Sequence, residues 1–411
     1  MAVWAAAVVA DALGGWRHQP LAPRGDIELF ERAATAYAEE AQTGNVAIAL
    51  LVDGRVHSEE MLSIGEPVDA STIFQMASVS KWVTSLGVMA LVEQGDIDLD
   101  TPVSRYLRRW KLPDSEFDND GVTVRRLLSH TAGLTDGLGY MGFEPGREAQ
   151  GLVESLSDTR DPVEGASGRV RVDQKPGSQW MYSGGGYTIL QLLIEEVSGE
   201  PFSSFMQRTV LDPLGMTDSS FVLNESRIDR LATSYDPDLA PAPHYRYTAL
   251  AAASLYSTLD DGVRFLQAHL RGANGEPIGR GVLQPETVSK MQVPQARKFG
   301  RSIWGLGCIL YAEGAQGGHV IGHDGNNRPA LNHSWRLNPA TGNGIVVMSS
   351  GDETFASRLG SEWTFWETGN VDVVTLALGA RRMAVTIFAG WTVMLAAALA
   401  LAWIRRSSLR C

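Results

Sequence analysis

Strand-forming stretches cluster at the two ends of this 411-residue chain, and what lies between them reads as helix and turn. Near the start, "NVAIALLVDGRV" and the residues to Ile64 form two apolar runs around the turn signal Asp53-Gly54, the pattern of a β-hairpin. Strand signals return only late, in "SIWGLGCILY", "GHVIGH", "LNHSWRL" and "GNGIVVMSS", short β-rich runs separated by turn residues. The middle, about residues 96 to 240, is rich in Gly, Pro and Asp and carries helical patterns, including Tyr187 to Val197 closed by Gly199. The expectation is an α+β fold, an α/β sandwich: one antiparallel sheet built from both ends of the chain, with flanking helices and an inserted helical subdomain.

From Asp26, a good N-cap, the apolar residues Leu29, Phe30, Ala33, Ala34 and Tyr37 recur at helical spacing, so the folded domain is expected to span 26–355. Residues 356–382 read as a connector. Met383 to Ile404, "MAVTIFAGWTVMLAAALALAWI", is a charge-free apolar run of 22 residues, long enough as a helix to cross about 30 Å of hydrocarbon. Trp391, Trp403 and the arginine pairs 381/382 and 405/406 flank or punctuate it as interfacial anchors would. It reads as a single-pass C-terminal membrane anchor with a short tail, 405–411. The slight excess of arginine after the span favours a cytoplasmic C-terminus, hence an extracytoplasmic, periplasmic domain. Residues 1–25 open with the apolar stretch Ala2–Ala10 and an A-x-A-like pattern at Ala10-Asp11-Ala12 but no positive n-region, a degenerate export signal.

The net charge of −12 argues against a nucleic-acid partner, which calls for a basic surface. Cys308 and Cys411 show no metal-site spacing, and Cys308, inside an apolar run, reads as a small buried hydrophobe. His130, His319, His323 and His333 lack any H-E-x-x-H spacing, so neither a metal nor a cofactor is expected. The absence of a G-x-S-x-G elbow argues against an α/β-hydrolase.

The chemistry concentrates in "FQMASVSKWVTSLGVMALVEQGDIDL", where Ser78 and Lys81 stand three residues apart at the start of a helix that stops at Gly95. Residues i and i+3 share a helix face, so the Lys81 amine can approach the Ser78 hydroxyl. A serine hydroxyl is a weak nucleophile that needs a base. Lysine serves only if desolvation or neighbouring positive charge lowers its pKa. The S-x-x-K string alone is weak, but only five of the 35 basic residues are lysine. Arginine cannot be deprotonated in a protein and lysine can, so a lysine kept here marks a place where a titratable amine is needed. Downstream, "WMYSGGGYTILQLL" puts Tyr182 on a Gly-rich bend before a helix. "GHDGNNRPA" puts His323 and Gly325 at the end of a strand, where glycine admits substrate backbone and free N–H groups can serve as an oxyanion hole.

Together these residues resemble the serine β-lactamase and penicillin-binding-protein-like hydrolases, in particular the class C, carboxylesterase and D-aminopeptidase branch. The resemblance covers roughly residues 26 to 352 and rests on an ordered set: Ser78-Val79-Ser80-Lys81, "LLSHTAGL" at 127–134, Tyr182-Ser183-Gly184, "VLDPLGM" at 210–216, and His323-Asp324-Gly325. It implies a β-lactamase/transpeptidase-like fold, an acyl-enzyme on Ser78, and proton transfers shared by Lys81 and Tyr182. It further implies that His323 stands where the family has its third-motif lysine, bonding the substrate or Tyr182. The N–H groups of Ser78 and Asn326 would form the oxyanion hole. "LAAASLYSTLDDGVRFL" resembles the family's helix-capping segment, with Tyr256 as packing.

Two departures bear on substrate. Gly184 replaces the asparagine of the family's Tyr-x-Asn, and His323-Asp324-Gly325 replaces Lys-Thr-Gly, so a fixed positive charge is lost or made pH-dependent. Both remove groups that recognise penicillin-like substrates while leaving the acyl-transfer residues. Arg328 is a candidate carboxylate-binding residue, and His130 reads as structural at a helix terminus. The expected activity is hydrolysis of a small-molecule or peptide ester or amide. The alternatives are a D-amino-acid-type peptidase, a β-lactam-interacting penicillin-binding-like protein, or an acylated sensor that signals through the anchor.

Overall fold

The computed structural model describes residues 1–41, 43–136, 139–298 and 300–408, so Arg410 and Cys411 of the tail lie outside the described residues. Its centre is an eight-stranded antiparallel sheet. The strands are β1 (Asn45–Val52), β2 (Arg55–Ser63), β3 (Ala296–Lys298), β4 (Arg301–Trp304), β5 (Ile309–Glu313), β6 (His319–Asn327), β7 (Leu331–Asn338) and β8 (Asn343–Ser350). They lie in the order β2-β1-β8-β7-β6-β5-β4-β3. The two ends of the domain meet where β1 pairs with β8, Ala49 opposite Val346. The expected fold class is therefore borne out.

"NVAIALLV" is apolar almost throughout because β1 is covered on both faces. Ala47, Ala49 and Leu51 pack into one core with the helix Val79–Gln94. Val46, Ile48 and Leu50 pack into the other, with Phe30 and Ala34 of the helix Ile27–Ala41. The helix Val79–Gln94 is buried along most of its length between sheet and helical region, and ends on Gly95 in the left-handed conformation. Beyond it lies the helix Gly184–Ser198, begun by a Ser183 N-cap whose hydroxyl accepts from the Gly186 N–H. Cys308 is buried and burial pushes its thiol up to about 12, as a core residue.

The segment 356–382 is not a connector. Phe355–Thr368 is a helix laid on the sheet with Phe355, Leu359 and Trp363 buried. Its inward face also carries Ser357, Ser361, Thr364 and Thr368, and these polar residues blur the apolar periodicity. Of these, Ser357, Ser361 and Thr364 surround Arg336, a fully buried β7 residue. Its guanidinium donates to Ser334 Oγ (2.8 Å), Thr364 Oγ1 (3.0 Å), Asp324 Oδ2 (3.2 Å) and Asp372. Asp372 in turn accepts from the Thr375 N–H at 2.7 Å, capping the helix Val373–Ser408. Folded structure thus runs to the foot of the long apolar helix.

That helix contains the 383–404 run, with Val385, Phe388, Val393 and Leu399 exposed, and it is long and apolar enough to cross a membrane. The N-terminal apolar stretch is also helical, Ala2–Gly14, and lies antiparallel against it. Trp391 Nε1 donates to the Met1 carbonyl (3.1 Å) and Trp4 Nε1 to the Thr386 carbonyl (3.3 Å).

Candidate active site

Ser78 stands at the start of the helix Val79–Gln94, where the chain leaves a short strand, Phe74–Gln75, paired with Tyr256–Ser257. The Met76 N–H donates to the Leu255 carbonyl at 2.7 Å, and the Leu255 N–H donates to Ser80 Oγ at 2.8 Å, so the backbone is tied on both sides of Ser78. Ala77 between them has φ of 47°, a left-handed conformation that a non-glycine residue holds only when its surroundings enforce it.

One turn on, Lys81 is 1% exposed. Its Nζ lies 3.0 Å from Ser78 Oγ and 2.7 Å from the Ala252 carbonyl oxygen. Burial brings its pKa down to about 7, against the opposing pull of the Asp136 carboxylate. The amine is therefore partly free at neutral pH.

Tyr182 lies across the amine, its ring centroid 5.0 Å from Lys81 Nζ. Burial raises the phenol's pKa well above its ordinary value, and its interaction with the Ser78 side chain opposes that only in part. His130 holds this bend in place. Its ring lies on Tyr182 at 4.3 Å, its Nδ1 accepts from the Ser183 N–H (3.2 Å), and its carbonyl accepts from the Met181 N–H (2.8 Å). Burial, then the charge of Lys81, keeps His130 neutral. Its place is structural, at φ 56° just past a short helix, Val124–Leu128.

β6 closes the other side. His323 is 2% exposed and its pKa falls to about 3, chiefly through burial and then through Lys81. This position therefore carries no positive charge near neutral pH. Nδ1 lies 2.6 Å from the Asp324 carbonyl oxygen, which only accepts, so Nδ1 carries the proton and Nε2 presents a lone pair. Nε2 is buried and without a partner among the described residues, and so is not bonded to Tyr182. Gly325 is pressed against the loop that carries Ser78: a Cβ there would lie 2.4 Å from the Met76 carbonyl oxygen. Asn326 is exposed, its side-chain amide donating to the Glu353 carbonyl. Arg328 lies just beyond β6 and is exposed.

Gly184 has its own structural reason. A Cβ there would meet Gly139 Cα at 3.0 Å and the Tyr140 ring at 3.1 Å, so a neighbouring loop occupies the space an asparagine side chain needs. The same loop supplies a residue that sequence reasoning passed over. Asp136 accepts from the Gly185 N–H (2.7 Å) and from Ser183 Oγ, capping the helix behind Tyr182, and burial raises its pKa to about 6. Trp304, also passed over, donates to the Leu128 carbonyl (3.2 Å) and packs edge-on against His130 at 4.7 Å and His323 at 5.5 Å. Only the position of Asp136, six residues after His130 in a turn-rich segment, hinted at its role.

A hydroxyl with a desolvated amine at hydrogen-bond distance, a neutral phenol and a neutral imidazole beside it is the equipment of acyl transfer. The Beta-lactamase family model matches residues 30–363. The chain belongs to the beta-lactamase family. Penicillin-binding protein 4 of Amycolatopsis lactamdurans is 29% identical over 343 residues, 78% of this chain and 84% of that protein. Esterase EstB of Burkholderia gladioli is 32% identical over 186 residues, 44% of this chain and 45% of its own length. Among solved structures, the octameric penicillin-binding protein homologue from Pyrococcus abyssi superposes with a TM-score of 0.66 at 23% identity, covering 86% of this chain and 77% of its own, a likeness of fold. These relatives place this beta-lactamase-family chain among serine hydrolases of penicillin-binding and esterase type.

Proposed function

We propose that this beta-lactamase-family protein is a membrane-anchored serine hydrolase that cleaves an ester or amide bond through an acyl-enzyme on Ser78. The observation that carries this is the 3.0 Å approach of the Lys81 amine, its pKa near 7, to Ser78 Oγ. The free amine of Lys81 takes the Ser78 proton as Oγ attacks the substrate carbonyl. The Ser78 and Asn326 N–H groups receive the developing oxyanion. Tyr182, kept protonated by burial, gives its proton to the leaving oxygen or nitrogen and recovers it from the Lys81 ammonium. Water then attacks the acyl group with Lys81 again as base, while His323 Nε2 accepts a hydrogen bond from substrate.

Esters are favoured over β-lactams because Gly184 supplies no side-chain amide and His323 no cation. The helix Val373–Ser408 is the anchor and the bilayer its partner, with the catalytic domain outside the cytoplasm. The test is intact-mass detection of an adduct with a fluorophosphonate, together with turnover of p-nitrophenyl esters, D-aminoacyl anilides and nitrocefin. One adduct, absent from Ser78→Ala, with ester turnover and slow nitrocefin turnover is expected. Labelling that persists in Ser78→Ala rejects the nucleophile, and a stoichiometric burst without turnover favours a sensor. Recovery of the protein in the membrane fraction after alkaline carbonate washing tests the anchor.

A further inference from the structure

A cavity of about 300 Å³ opens beside the candidate active site, and its charged lining is not used by the chemistry described so far. Its walls include Glu144, Arg147, Glu148, Arg160, Tyr245 and Arg328. The segments that carry them are the ones that border Ser78. Arg328 follows Gly325, which lies against the Met76 carbonyl, by three residues, Asn326 and Asn327 on β6 and Arg328 in the turn after it. The Tyr245 carbonyl accepts from Gln75 Nε2 at 2.9 Å, three residues before Ser78. Glu144 and Arg147 continue the loop of Asp136 and Tyr140, fastened to the Tyr245 segment by paired bonds between Phe143 and Arg246 (2.7 and 2.9 Å).

The charges are unequally committed. Arg160 is paired with Glu154 at 2.6 Å. Among the described residues Arg328 and Arg147 form no ion pair. Arg328 is the charged wall residue in the turn that directly follows β6, the strand of His323 and Gly325, whereas Glu144 and Glu148 lie on another loop. Behind Gly142 lies Tyr247, whose buried hydroxyl has no partner among the described residues.

We propose that this cavity is the acyl-side subsite and that it takes a carboxylate at the far end of the substrate's acyl group, held by Arg328 with support from Arg147. Such a substrate is a dicarboxylic acid half-ester or an acidic acyl-amino acid. A guanidinium binds carboxylate through two parallel N–H donors, so the preference is specific to that charge. This deepens the serine-hydrolase reading and rests on it.

The test compares kcat/KM for p-nitrophenyl hydrogen glutarate and the neutral p-nitrophenyl valerate, using the full chain in a zwitterionic detergent. The unaltered protein should prefer the glutarate at least about tenfold, a preference that weakens with salt. In Arg328→Gln the ratio should fall toward unity, and in Arg147→Gln by a smaller factor. Because the readout is a ratio within one preparation, partial misfolding of a variant cancels. Equal rates for both esters in the unaltered protein, a preference that survives Arg328→Gln, or a preference for an ammonium-bearing aminovalerate ester would each overturn the subsite. Turnover of the valerate with a Ser78 adduct but no charge preference rejects this inference alone. No turnover and no adduct rejects both readings.

Discussion

Lys81 Nζ lies between Ser78 Oγ at 3.0 Å and the Ala252 carbonyl oxygen at 2.7 Å, in a setting that leaves the side chain 1% exposed. The two acceptors aim the amine at the hydroxyl. Burial brings its pKa down to about 7, and Asp136, the charged group acting on it among the described residues, pulls the other way. A partly deprotonated amine is thus made from packing.

Such a lysine costs the fold stability, with a definite sign. Its folded pKa lies below the unfolded value, so the native state resists protonation. The cost is fully present below pH 7 and fades as pH rises toward 10.5. Lys81→Met should lose about 10³-fold in ester turnover. It should also gain stability over the unaltered protein, and that gain should be larger at pH 6 than at pH 9 by roughly 2–3 kcal/mol. Thermal melts at the two pH values measure it; a pH-independent difference would refute the buried, titrating amine.

The pH profile follows from the same group. kcat/KM should rise with pH through about 7 as Lys81 loses its proton. Asp136→Asn keeps the shape of the cap on Gly185 but removes the charge that holds the Lys81 pKa up, so the acid limb should move to lower pH. Profiles from pH 5 to 9 decide this, and an unmoved limb would exclude electrostatic coupling between the two.

Gly325→Ala places a methyl group 2.4 Å from the Met76 carbonyl oxygen, backbone against backbone. It should displace the loop holding Ser78 and reduce turnover about a hundredfold, since small misplacements of reacting groups cost that much. Gly184→Asn, meant to restore a β-lactam-recognising amide, meets Gly139 Cα and Tyr140 instead. We expect a loss of about 1–3 kcal/mol from overpacking and no gain in nitrocefin turnover. Denaturant titration and a nitrocefin assay on one preparation check both halves.

Arg336 pairs with both Asp324 in the third motif and Asp372 at the foot of the apolar helix. Removing one partner of a buried ionic cluster strands the others, so Arg336→Met should cost about 3–5 kcal/mol. A melting temperature equal to that of the unaltered chain would show that the cluster is not the tie between β6 and the helix Val373–Ser408.

Much of this architecture was legible in local pattern. Apolar runs, turn residues and caps forecast the hairpin β1–β2, the late strands, the helix after Ser78 and the long apolar helix, because each depends on a periodicity a few residues long. The helix Phe355–Thr368 was not legible, since its buried face is half polar and is explained only by Arg336 on a distant strand. Asp136 was missed for a like reason: its partners, Ser183 and Gly185, lie 47 and 49 residues away in the chain.

The sequence by itself determined which residue types were available, a serine with a lysine one helical turn on, then a tyrosine, then a histidine and a glycine, in the order of a known family. Only the tertiary structure decided their states. Burial frees the Lys81 amine, keeps Tyr182 protonated and leaves His323 neutral with an open lone pair. A protonation state depends on how many atoms stand between a group and water, and those atoms come from segments far apart in the chain.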